Sequence, residues 1–381
     1  MTYLVVILLF LYFTYIHDEK GIKHNYGYHL KLCFILLILL AGCRHYIGAD
    51  TYQYRAFYES LSPINELTKN ELSNYRYNSG WVLYCSLLKY ISSDFIIVQF
   101  INAIILNYGV YLNIKKYTKY QFITLCLYSF TIYYIHINFE YMREATAVGI
   151  FLIWGIDALT QKRYFYYYII CLICLLFHTS AIIVFLIPLF KYLHDKNYKI
   201  ILIISVFIIP FSTFIIYEIL SSLLGNSNYI VWYLQKSLYG DIIEKDFIYY
   251  ITVFYVPIIY ILVIFLSHKL KLPILYPYLL YFGFFCFSMN VVNYTASRYV
   301  NYIFPFFIIL SSNYIAFKCK HYLIKAVIIY ILIFNSINLF LQYKERPEIY
   351  YPYKYYFEDL SNEQKKIKNE RWEYDERNRF Q

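Results

Sequence analysis

Apolar residues in this chain arrive in long unbroken blocks, and that pattern narrows the possible folds more than any short motif does. Between Tyr164 and Phe190 there is no Lys, Arg, Asp or Glu, and the stretch "LCFILLILLAG" at 32–42 is uncharged throughout. A surface helix of a soluble protein alternates apolar and polar faces with a period of 3.6 residues, so blocks without that period call for lipid on their outer side. With ~20 apolar residues needed per crossing, the blocks place spans near 3–16, 29–43, 94–113, 121–139, 143–159, 164–178, 179–193, 200–217, 248–267, 274–290, 299–316 and 322–341. The expected fold is all-α, a polytopic integral membrane helical bundle of about 12 spans.

The net charge of +10 fits the same picture. Lys and Arg gather in short loops between the blocks: Lys20, Lys23 and Lys31; Lys115, Lys116 and Lys119; Lys162 and Arg163; Lys191, Lys196 and Lys199; Lys269 and Lys271; Lys318, Lys320 and Lys325. That is the positive-inside pattern of a membrane protein, and it implies no nucleic-acid partner. These loops share the cytoplasmic side only if 79–113 crosses once in net, which makes 79–91 an interfacial or re-entrant helix. The longer loops 44–78 and 218–247 then lie outside, with the turns at 138–143, 178 and 290–298. The N-terminus lacks a basic leader and a small-residue cleavage site and reads as a first span. Cys171-x-x-Cys174 has no second pair or His beside it, so the cysteines read as small hydrophobes rather than metal ligands. The sequence divides into a membrane-embedded domain, 1–341, and a polar charged C-terminal tail, 342–381.

Burying one charge at mid-bilayer costs roughly 2.5–3.5 kcal/mol on insertion scales, so each ionisable group near a span needs a reason. Arg44 follows the second span and reads either as a snorkelling anchor or as an anion ligand. Asp50, Tyr54 and Phe57 share a face if a helix starts after Gly48, with Asp50 as cap or as reactive carboxylate. Glu140, Arg143 and Glu144 crowd one outer turn, where they form an internal ion pair or present Arg143 to a ligand. His178 sits alone in an apolar hairpin, and Arg298 opens a late span. Three arginines, carboxylates and a histidine from distant spans therefore converge on the outer side.

Several arginines at one membrane face point to an anion, because guanidinium forks match phosphate oxygens. The chain has no Walker-type loop, paired-Asp motif or zinc signature, so the anion expected is a lipid-linked diphosphate at headgroup depth rather than a soluble nucleotide. The matching chemistry is glycosyl transfer without metal or cofactor. Arg44, Arg143 and Arg298 would hold the departing diphosphate, and Asp50, Glu140 or His178 would take the proton of the attacking hydroxyl. A transporter or flippase for lipid-linked oligosaccharide, or an O-antigen ligase, is the alternative; a transporter would show charges along a path through the bilayer and internal repeats.

These segments resemble a known family. "RHYIGADTYQYRAFYE", "NFEYMREATAVGIFL", "LLFHTSAII" and "SRYVNYIFP" are similar, in order and spacing, to the motifs of the EpsG family, relatives of Wzy-type O-antigen and exopolysaccharide polymerases. The resemblance covers nearly all of residues 1–341. It implies a GT-C-like fold in a bacterial plasma (inner) membrane and a polymerase joining undecaprenyl-diphosphate-linked oligosaccharide repeats into O-antigen, capsule or exopolysaccharide. It also implies membrane lipid and a chain-length regulator protein as partners. Carried over by position, its site residues are Arg44, Asp50, Arg143, His178 and Arg298. Glu144 stands where the family usually has Gln, and on that resemblance Glu144→Gln is expected to keep activity.

Overall fold

The computed structural model describes residues 2–48, 50–74, 77–129, 131–196, 218–223, 277–292 and 294–318, together with 200 and 325. Every element among them is helical, and no strand is present among the described residues. In chain order these are α1 (Thr2–Phe13), α2 (Tyr26–Gly42), α3 (Thr51–Ser60), α4 (Lys69–Asn74), α5 (Ser79–Ile91), α6 (Ile96–Tyr117), α7 (Gln121–Ser129), α8 (Ile132–Ile135), α9 (Met142–Ile150), α10 (Ile156–Thr160), α11 (Tyr164–Phe177), α12 (Ile187–Asp195), α13 (Pro277–Val292) and α14 (Phe304–Lys318). Turns of π-helix, Thr14–Glu19 and Phe151–Gly155, prolong α1 and join α9 to α10, so the chain runs helically over 2–19 and 142–160.

The apolar blocks at 29–43, 94–113, 143–159, 164–178 and 299–316, and the described part of 274–290, coincide with helices. Among the described residues one helix, α6, is by itself long and apolar enough to cross a membrane. The block at 121–139 is not one straight rod: its two halves, α7 and 133–140, meet at 73°. Side chains at the bend compete for the backbone there, with Ser129 Oγ donating to Cys126 O and Thr131 Oγ1 to Tyr128 O, which turns the helix instead of prolonging it. The blocks at 200–217, 248–267 and 322–341, most of the loop 218–247 and the tail 342–381 lie outside the described residues.

On α11 only Tyr167, Cys171 and Cys174 are buried, while Phe165, Tyr166, Leu172 and Leu176 are exposed. A continuous apolar outer surface of this kind is costly in water and ordinary in lipid.

The centre of the bundle is α6, which grips its neighbours through buried amides. Asn102 Nδ2 donates to Met142 O at 2.7 Å, Asn107 Nδ2 to Asn138 Oδ1 at 2.8 Å, Asn113 Nδ2 to Leu152 O at 2.9 Å and Gln99 Nε2 to Arg44 O at 2.9 Å. Where apolar contact alone gives helices little preference for one another over lipid, such bonds fix the register. Gly149 makes the approach of α9 to α6 possible, since a Cβ there would lie 2.9 Å from Ile105 O. The start of α9, carrying Arg143 and Glu144, is thereby held rigidly against the central helix.

Candidate functional site

Four segments distant in sequence, with Tyr77 from the stretch just before α5, build one cavity of about 290 Å³, lined by Asp50, Gln53, Tyr54, Tyr77, Tyr141, Arg143, Glu144, His178 and Arg298. Each segment reaches it for a local reason.

The first is the loop after α2. Gly48 has φ +105°, and a Cβ on it would meet Phe139 O at 2.2 Å, so glycine alone fits where this loop crosses the end of the π turn His136–Glu140. Phe139 O also accepts from Thr51 Oγ1 and from Arg44 Nη2, each at 3.3 Å. Asp50 occupies the N-cap position of α3, yet its side chain makes no capping bond there. Tyr54 and Phe57 are buried on the same helix, as the one-face reading of α3 requires.

The second segment opens α9. The guanidinium of Arg143 stacks on Tyr77 with its central carbon 4.6 Å from the ring centroid. It makes two long hydrogen bonds, Nε to Tyr54 Oη and Nη1 to Asn78 Oδ1, both at 3.4 Å. The third is the hairpin turn at His178, extended at φ −152° and ψ 134°, whose side chain caps the 3-10 helix Thr179–Leu186. The fourth is the 3-10 helix Tyr294–Tyr302, where residues three apart lie one above the other. Arg298 and Asn301 therefore point the same way: Arg298 stacks on Tyr141 at 4.9 Å, and Asn301 Nδ2 donates to Glu144 Oε1 at 3.0 Å.

The sequence left open whether Arg143 is held by Glu140 and Glu144. Among the described residues neither carboxylate lies within 4.0 Å of Arg143 or Arg298. Glu140 Oε2 pairs instead with His136 Nδ1 at 2.9 Å. Two guanidiniums thus face one cavity without a carboxylate partner among the described residues, and each has most of its five N–H donors uncommitted.

The hydrogen bonds of His178 decide its tautomer. The backbone N–H of Ser180 donates to Nδ1 at 3.2 Å, and Ser180 Oγ lies 2.6 Å from the same atom. A ring nitrogen that accepts carries no proton, so the imidazole is neutral and protonated on Nε2. That Nε2 lies 3.4 Å from Arg298 Nη1. Two N–H donors therefore stand side by side, which is the arrangement an anionic oxygen satisfies.

Of the six residues singled out from the sequence, the structure brings together Asp50, Arg143, His178 and Arg298. It places Arg44 and Glu140 outside the cavity wall. Arg44 is almost fully buried and ties the backbone together, donating Nε to Ile47 O at 3.1 Å, Nη1 to Ala41 O and Nη2 to Phe139 O. Tyr77, Tyr141 and Asn301 went unnoticed in the sequence. A chain with 51 tyrosines hides two that matter, whereas Asn301 was findable from its spacing of three after Arg298. No group of three His, Cys, Asp or Glu side chains among the described residues is arranged to hold a metal ion.

A family model, that of the EpsG family, matches residues 27–356. No curated protein and no solved structure matches the chain.

Proposed function

The chain belongs to the EpsG family of polysaccharide-polymerase-type membrane proteins, and from that premise we propose that it is a glycosyltransferase. Its substrates on this reading are undecaprenyl-diphosphate-linked oligosaccharide repeats, which it joins into a surface polysaccharide at the outer face of a bacterial plasma membrane. The chain crosses that membrane many times in a GT-C-like bundle. One observation carries the reading: Arg143, Arg298 and the Nε2–H of His178 direct donors into a single cavity, and neither arginine is ion-paired to a carboxylate among the described residues.

The charge that develops during glycosyl transfer falls on the departing diphosphate. Guanidinium groups held flat by Tyr77 and Tyr141 meet phosphate oxygens edge-on, with little reorganisation, as the anomeric C–O bond breaks. Arg44, spent on backbone carbonyls, keeps the loop before Asp50 in place rather than touching substrate.

The test is the glycan ladder of a deletion strain complemented with single variants. Chains collapsing to one repeat on deletion support a polymerase, and loss of every outer-leaflet repeat overturns it in favour of a flippase. Arg143→Ala and Arg298→Ala should each abolish chain growth at unchanged protein level. Normal chain lengths in both would sink the assignment.

A further inference from the structure

Glycosyl transfer needs a group that takes the proton of the attacking hydroxyl. His178 is unsuited to that role, because its Nδ1 is occupied as an acceptor and its Nε2 already carries the ring proton. Glu140 is paired with His136 and lies off the cavity wall. Asp50, on the wall, has partners of its own.

Glu144 is different. It lines the cavity and is 1% exposed. Its Oε1 accepts from Asn301 Nδ2 at 3.0 Å, whereas its Oε2 is buried with no hydrogen-bond partner among the described residues. Ser180 Oγ, 3.4 Å from Oε1, has a single hydrogen, and the nearer acceptor is His178 Nδ1 at 2.6 Å. Leaving a buried polar atom unpaired costs roughly 1–3 kcal/mol, and more when it is charged. A carboxyl retained only to fasten α9 to the Tyr294–Tyr302 helix would have both oxygens bonded. Gln would fasten it equally well without burying an acid. One oxygen fixed and one left unbonded is instead the geometry of a positioned proton acceptor.

We infer that Glu144 is a catalytic residue: Oε2 binds the attacking hydroxyl of the acceptor sugar and removes its proton. This rests on the glycosyltransferase reading above. In the step, the hydroxyl O–H bond breaks with its proton passing to Glu144 Oε2, and the oxygen forms a bond to the anomeric carbon of the donor sugar. The anomeric C–O bond to the diphosphate breaks, and its electron pair leaves on the diphosphate beside Arg143, Arg298 and His178 Nε2–H. Glu144 then returns its proton to solvent or to the released diphosphate. The inference reverses the expectation, drawn from family resemblance, that Glu144→Gln keeps activity.

The experiment uses the full chain in lipid nanodiscs with two readouts: binding of radiolabelled undecaprenyl diphosphate, and the rate of chain extension from a lipid-diphosphate oligosaccharide. Glu144→Gln keeps an acceptor for Asn301, so it is expected to bind labelled undecaprenyl diphosphate as the unmodified protein does while extension slows about 100-fold or more. Glu144→Asp, which restores a carboxylate, is expected to recover extension at least about tenfold over Gln. Extension at the unmodified rate in Glu144→Gln overturns the inference. So does loss of diphosphate binding in both variants, which would mark a structural role. Each of these outcomes leaves the glycosyltransferase reading standing, whereas an unmodified protein that neither binds the labelled diphosphate nor extends chains overturns that reading as well.

Discussion

Arg298 Nη1 lies 3.4 Å from His178 Nε2 across 120 positions of sequence, and in the tautomer set by Ser180 both atoms are donors. Two donors repel slightly unless an acceptor oxygen joins them. A cavity with such a pair in its wall is therefore prepared for an anion, at a place where the hairpin already meets the Tyr294–Tyr302 helix through Ser180 Oγ and Tyr302 Oη at 3.2 Å.

Arg298→Lys follows directly. Lysine keeps the charge but loses the planar fork and the stacking on Tyr141. Chain extension is expected to fall about tenfold or more at unchanged protein level. Extension rates measured side by side with Arg298→Ala check it: a lysine variant as active as the unmodified protein would show that charge alone suffices.

Arg44→Met should act on stability instead. Removing the guanidinium takes a donor from each of Ala41 O, Ile47 O and Phe139 O in a buried setting, and Thr51 Oγ1 remains as a donor to Ile47 O at 2.7 Å. A loss of about 3 kcal/mol is expected, read as a lower thermal midpoint in detergent and less protein in the membrane. Normal stability with abolished chain growth would place Arg44 at the substrate.

Glu140→Gln is expected to leave chain growth within about twofold, because its partner is His136 and it lies off the cavity wall. The Glu140 side chain is buried, and glutamine keeps an oxygen opposite His136. Ladder length in the complemented strain tests it, and a collapse to single repeats would restore Glu140 as a candidate proton acceptor.

Acid should loosen the segment around α4. Glu71 and Thr68 form a capping box: Thr68 N–H donates to Glu71 Oε2 at 2.8 Å and Glu71 N–H to Thr68 Oγ1 at 3.2 Å, with Ser62 Oγ on the other oxygen at 2.9 Å. The Thr68 backbone bond, followed by the Ser62 and Thr68 hydroxyls, holds the Glu71 carboxyl below its ordinary value. A depressed folded-state value means the contribution is full above the unfolded-state pKa and is lost as pH falls through the folded one. Hydrogen-exchange protection of the Thr68 and Glu71 amides, corrected for intrinsic rates, should hold from neutral pH down to the ordinary carboxylate range and collapse below it. Protection that is flat to lower pH, or equally pH-dependent in Glu71→Gln, would contradict this.

Much of the helical layout was legible in the sequence. The hairpin formed by α11 and the helix that follows shows in the run from Tyr164 to Phe190, broken only by His178, because an uncharged stretch of that length has one solvent it can enter. The register of α3 was legible too, since Tyr54 and Phe57 recur at helical spacing after Gly48. The bend between α7 and α8 was not: hydropathy is continuous through Ser129 and Thr131, and the competition of their hydroxyls for backbone carbonyls leaves no trace in an apolar average.

Three arginines looked equivalent in the sequence, and tertiary structure separated them. Arg44 met carbonyls left free at a helix end and a π turn, while Arg143 and Arg298 met tyrosine faces and a cavity. Local composition determined that this chain is helical and built for lipid, because partitioning depends on each segment's own side chains. What each charge does was decided only by its neighbours. Glu144 faces an amide from position 301 and leaves one oxygen unbonded because two helices 157 residues apart close on each other there, and such pairing energies belong to no single segment.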